Sequence, residues 1–234
     1  AGDDRMTTAP TGVRLWLLVA TPLIVQFAFA GIVAGILRAT GAITGGTTLT
    51  SLPQALVVLA SYAVFGLATL AVARAFGRPV EVLALRRLPL RRGVLLAVIG
   101  LGAGIAIAVA LEPVFHGQAS QRIDAGAVTG IVSGLALVLS LIGIVGAAAV
   151  LEELYFRGLL YGRLDDRLGT ASAVVGSAGV FGLVHFEPNA FPVLFGLGVV
   201  LGVLRWRSDS VLPGIGVHAA NNAIAAVGIL LTSS

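Results

Sequence analysis

The chain has no cysteine, no lysine and one methionine, and only 11% of its 234 residues are charged. Without cysteine, disulfides, zinc–thiolate centres and a cysteine nucleophile are excluded. Soluble domains carry about 25% charged residues, so the charge deficit excludes an ordinary soluble domain. All fifteen cations are arginine, which with the Ala, Gly, Val and Leu bias leads us to expect a GC-rich bacterial source. The basic pI near 10.6 does not indicate nucleic-acid binding, because the arginines flank apolar runs as they do in membrane proteins. Met6 is the only methionine, so Ala1 to Arg5 are expected not to be native.

What fills the chain is apolar: 57% of residues are hydrophobic and the mean hydropathy is +1.01. Uncharged runs near twenty residues recur, the length needed to cross about 30 Å of hydrocarbon. The expectation is an all-α, polytopic transmembrane bundle of about 7–8 helices, integral to the bilayer. Seven runs stand out: Arg14 to Leu37, Leu52 to Phe76, Val94 to Leu111, Val128 to Glu152 or as far as Leu160, Thr170 to His185, Val193 to Leu204, and the stretch after Pro213-Gly214 to Leu231. The fourth is long enough to be one tilted helix or two pieces, and the sixth is short. The organisation reads as a tail (1–13), N-terminal transmembrane helices (14–127) and a C-terminal core carrying the chemistry (128–234).

Arginine placement orients the bundle. The linker "RAFGRPVEVLALRRLPLRRG" holds Arg74, Arg78, Arg86, Arg87, Arg91 and Arg92. Placing it inside puts thirteen arginines in the cytoplasm and leaves Arg38 and Arg122 outside. The N-terminus is then expected to be cytoplasmic and the membrane to be a bacterial cytoplasmic membrane. Glycines in "GLGAG" (100–104) and "GLGVVLG" (196–202) are expected to let helices approach closely in lipid.

Ionisable groups within membrane helices are costly, and they mark functional sites by default. The spans hold Glu152, Glu153, Arg157, His185 and His218, with Asn221 and Asn222 beside the last. Glu153 and Arg157 are four apart, acid before base, the favourable arrangement on one helix face. Glu152 points about 100° away and has no cation at that spacing. It therefore stays free to act as a base, unless the pair simply marks a solvated helix end. Phe181 and His185 share a face, so the ring can fix the imidazole. His218 and Asn222 share another, and both side chains can donate to an oxyanion, or equally bond neighbouring helices. His116 falls in a polar loop. A carboxylate, two imidazoles and an amide suit activation of water for peptide hydrolysis. Two histidines and a glutamate (Glu152, His185, His218) would also bind zinc with an open position for water. A serine mechanism lacks a nucleophile motif.

The three groups in this order resemble the CPBP family of intramembrane proteases, the CAAX-protease and bacteriocin-processing (Abi) family. Two glutamates followed after three residues by an arginine match Glu152, Glu153 and Arg157. Phenylalanine, three residues and histidine match Phe181 and His185. Histidine, three residues and asparagine match His218 and Asn222. The resemblance implies an endopeptidase acting on membrane-anchored or lipid-linked peptides or proteins. In that reading Glu152 and His185 activate water, His218 and Asn222 hold the oxyanion, and Glu153, Arg157 and Phe181 support them. The family has been described both as metal-dependent and as glutamate-dependent, so zinc stays open. A non-proteolytic scaffold or bacteriocin-immunity protein that retains the motif is the alternative, and a transporter ranks below it because no inverted repeat is evident. One tension concerns depth. His185 lies about 22 Å along the fifth span and His218 about 7 Å beyond Pro213, at about 1.5 Å per residue.

Overall fold

The computed structural model describes residues 12–41, 52–115 and 134–232, with side chains to 228. The tail before Gly12, the 127/128 boundary, His116, Arg122 and the residues before Gly134 lie outside the described part. Within it every regular element is helical. In chain order these are α1 (Val13–Ala39), α2 (Leu52–Phe76), the short α3 (Pro79–Val82), α4 (Leu90–Phe115), α5 (Gly134–Leu168), α6 (Thr170–Leu183), α7 (Phe191–Ser208) and α8 (Leu212–Thr232). Five of them, α1, α2, α4, α5 and α7, are long and apolar enough to cross a membrane, while α6 is apolar but shorter.

The outer surface is as greasy as the interior. Leu17, Ile32, Leu67, Val98, Ile99, Val109 and Leu135 are all exposed. Scattered exposed apolar residues are normal on a soluble protein, but whole faces of Leu, Ile and Val need lipid as their solvent. The chain is an integral membrane protein, as its charge deficit predicts.

Two departures from the sequence reading affect the site. The fifth helix ends at Leu183 rather than His185, and the chain turns there with Phe186 at φ 55°. The fourth run is a single 35-residue element containing two wide π-helical segments, Ile142–Ala148 and Leu154–Leu160. A π turn bonds i to i+5, which spares backbone carbonyls from the α-helical pattern, and such turns concentrate at functional sites. A further difference is that α4 runs through Pro113 to Phe115. So near the C-terminal end, the proline costs the helix little more than one internal bond.

Helix α5 is the centre of the bundle. Its Tyr155, Phe156, Leu159 and Leu160 form a buried core with Leu15 and Val19 of α1, Phe65 and Val72 of α2, and Phe181 of α6. A second core joins Leu197, Leu201 and Leu204 of α7 to Val217 of α8, with Leu96 and Leu101 of α4 against it. Small residues set these distances, as expected in lipid. A Cβ on Gly198 would lie 2.9 Å from Ala178 Cα, and one on Gly100 would lie 2.6 Å from a Leu204 methyl.

Gly158 is the tightest case against backbone: a Cβ there would sit 2.9 Å from both Cα and O of Leu83. Backbone cannot swing away as a side-chain tip can. For Gly158→Ala, overpacking of about 1–3 kcal/mol outweighs a helix-propensity gain of about 1 kcal/mol. The variant should melt several degrees lower in detergent; an unchanged or higher melting temperature would contradict this packing.

The segment after α3 also locks the start of α8. Val211 N donates to Ala84 O (3.1 Å) and Ser210 Oγ to Arg86 O (2.7 Å). Arg86 pairs with Asp209, and Arg92 donates to Arg207 O (2.8 Å). These bonds fix where α8 begins, and hence the depth of His218, about 9 Å further along.

Candidate active site

Four helices bring polar groups together in the bundle. From α5, Glu153 is fully buried and accepts a hydrogen bond from Arg157 Nη1 at 3.0 Å, the pair expected from their spacing. Arg157, also fully buried, spends Nη2 on Gly198 O of α7 at 3.0 Å, and its guanidinium lies 4.6 Å from the centre of the Phe181 ring. A buried charge persists only when paired and bonded, and here Nη1 and Nη2 each have a partner, while Nε has none. Gly214 of α8 allows the carboxylate its place, since a Cβ there would meet Glu153 Oε2 at 2.7 Å.

His218 of α8 is buried, with Nδ1 3.3 Å from Glu153 Oε1 and Nε2 3.8 Å from Glu152 Oε2. The imidazole thus bridges the two glutamates, 65 residues from Glu153 in sequence. Glu152 itself accepts a bond at Oε1 from Tyr62 Oη of α2 (2.7 Å), while its buried Oε2 has no hydrogen-bond partner.

Phe181 of α6 joins the two imidazoles. Its ring lies 4.9 Å from that of His185 and 5.6 Å from that of His218, both edge-on. The i,i+4 stacking expected from the sequence is present. His185 Nδ1 lies 2.7 Å from Phe181 O; a carbonyl only accepts, so that nitrogen carries the proton and Nε2 is left as an acceptor. Among the described residues no hydrogen bond or ion pair joins His185 to Glu152. The depth mismatch between the two histidines is closed through the Phe181 side chain.

Asn222 reaches α5 as well, donating Nδ2 to Ile144 O at 2.9 Å. Ile144 lies in the first wide turn of α5, so this bond ties α8 to that turn. The second wide turn is treated similarly, with Arg205 Nε of α7 donating to Arg157 O at 3.1 Å. Replacing Asn222 by Leu would remove this part-buried hydrogen bond, at about 0.5–1.5 kcal/mol. Lower thermal stability together with reduced activity is the expected outcome, checked by melting in detergent.

Glu152, Glu153, Arg157, Phe181, His185 and His218 are therefore linked by hydrogen bonds, close polar approaches and ring contacts, while Asn222 bonds the backbone of α5 at Ile144. Among the described residues, however, no group of three or more His, Cys, Asp or Glu side chains is placed to hold a metal ion. Glu152, His185 and His218 do not assemble a zinc site here, and no step below passes through a metal. Sequence reasoning missed Tyr62 and Gly214. The only signal for Tyr62 was a phenol in an apolar span, which an inventory of charged groups passes over.

A lipid-facing helical bundle with an internal carboxylate–imidazole cluster defines a membrane-embedded protein. Residues 133–224 match the family model described as "Type II CAAX prenyl endopeptidase Rce1-like", so the CAAX-protease resemblance carried by the three motifs stands for this segment. The match contains all seven motif residues and leaves α1–α4 outside it. No curated protein matches the chain, and no solved structure does.

Proposed function

We propose that the chain is an intramembrane endopeptidase that hydrolyses peptide bonds in membrane-anchored or lipid-linked substrates, using water activated by Glu152. The observation that carries this reading is the 3.8 Å gap between Glu152 Oε2 and His218 Nε2. It is too long for a hydrogen bond, so Glu152 Oε2 faces the imidazole as a carboxylate oxygen with no partner of its own.

In the proposed reaction Glu152 takes a proton from a water as its oxygen attacks the substrate carbonyl carbon. The new C–O bond forms and the carbonyl π pair moves to oxygen. His218, with the second amide hydrogen of Asn222, stabilises this oxyanion. The Nε2 of His185 helps Glu152 orient the water. On collapse the C–N bond breaks and the proton held by Glu152 passes to the leaving nitrogen, giving a carboxylic acid and an amine. Glu153 and Arg157 hold His218 in place, and Phe181 holds both imidazoles. The arginine-rich end is proposed to face the cytoplasm of a bacterial cell, with the N-terminus on the same side.

The test is cleavage of a membrane-anchored peptide by the purified chain in proteoliposomes, comparing wild type with Glu152→Gln. Loss of cleavage in a folded variant supports the mechanism, and full activity overturns it. Should the biological phenotype survive both Glu152→Gln and His185→Ala, the protein acts as a non-proteolytic scaffold or immunity factor instead.

A further inference from the structure

The family match covers α5 to α8, yet the shortest hydrogen bond to either glutamate comes from outside it. Tyr62 lies near the middle of α2 and donates to Glu152 Oε1 at 2.7 Å. We propose that Tyr62 is a positioning residue for the reaction, its hydroxyl holding Glu152 so that Oε2 faces the attacking water. This inference rests on Glu152 being the base.

The two glutamates are held very differently. Glu153 takes Arg157 and His218 both on Oε1, while its Oε2 has no hydrogen-bond partner and lies against Gly214. Glu152 has a hydrogen bond on Oε1 only. The terminal torsion of a glutamate is broad, so without that bond the carboxylate plane could rotate away from its present angle. A hydroxyl bonded to a carboxylate is charge-assisted and directional, which suits it to hold that plane with the other oxygen turned toward His218.

The tyrosine ring is itself anchored. It packs against the buried core that contains Phe65, Tyr155 and Phe156, and Tyr155 Oη donates in turn to Val19 O of α1 at 3.1 Å. The orientation of Glu152 is therefore tied to the α1–α2 pair. A purely structural phenol would need only some acceptor in lipid, and a backbone carbonyl would serve. This phenol instead bonds the carboxylate that also faces His218 of α8, beside Glu153 and Arg157 of α5.

The experiment uses the full chain in proteoliposomes, with Tyr62→Phe compared against wild type and Glu152→Gln. Loss of a hydrogen bond to a charged group predicts that kcat falls on the order of ten- to a hundredfold. KM should stay within about twofold, because binding is untouched. A readout independent of turnover is carbodiimide labelling, quantified by mass spectrometry. Tyr62→Phe should raise labelling at Glu152 and leave Glu153 unchanged. Wild-type kcat with unchanged labelling overturns the inference, as does labelling that rises equally at both glutamates. If Glu152→Gln is inactive while Tyr62→Phe behaves as wild type, only the role of Tyr62 falls. An active Glu152→Gln removes the mechanism beneath it.

Discussion

Glu152→Gln should leave a folded protein whose cleavage rate has dropped on the order of 10²–10⁴-fold, the usual contribution of a positioned general base. Fold should survive because the amide keeps a carbonyl oxygen to accept from Tyr62, at nearly the same volume. What disappears is the lone pair that takes the proton of water. Packing supports the separation of the two effects: Glu152 is slightly exposed and has one hydrogen bond, whereas Glu153 is fully enclosed. The measurement is product formation alongside a melting curve of the same preparation. A variant that is both inactive and unfolded would mean that Glu152 is structural, while one that is folded and active would exclude it as the base.

Arg157→Met should produce the largest loss of stability of any single substitution in the cluster. The guanidinium and the Glu153 carboxylate are both wholly enclosed at 3.0 Å, and removing one partner of such a pair costs about 3–5 kcal/mol. Net stabilities of folded domains are about 5–15 kcal/mol, so most of the folded population is at risk. The same change also frees Gly198 O and removes the cation from the face of Phe181. Arg157→Lys should rescue little, because an ammonium cannot reproduce the planar fork that reaches both acceptors. Neutralising the other partner as well, in Glu153→Gln with Arg157→Met, should recover part of the stability, since no unpaired charge then remains. The yield of monodisperse protein and its melting temperature check this. An Arg157→Met single variant as stable as wild type would contradict the buried pair.

Features that depend on neighbours in sequence were legible before any coordinates. Apolar run length marked the membrane helices, and four-residue spacing correctly paired Glu153 with Arg157 and Phe181 with His185. Side chains at that separation meet on any helix, whatever surrounds it. The contacts from Tyr62 to Glu152 and from His218 to both glutamates depend on which helix faces which. With 31 glycines, many close approaches between helices look equally good in one dimension, and the sequence does not choose among them. The early end of α6 was hidden for a related reason: "FGLVHF" continues the apolar run beyond the point where the helix stops. The wide turns of α5 left no pattern either, since "IGIVGAA" is as compatible with an α-helix.

Those wide turns also bear on how relatives of this protein could differ in length. A π segment holds about one residue more than the α-helix that would span the same distance. Deleting a single residue within Ile142–Ala148 could be absorbed by closing the turn, with both flanking stretches keeping their register. The carbonyl of Ile144, which Asn222 now bonds, would then be re-aimed along its own helix and Asn222 would lose its hold. In chains aligned with this one, a one-residue gap at this place would therefore report a changed attachment of the last helix, even where every motif letter is retained.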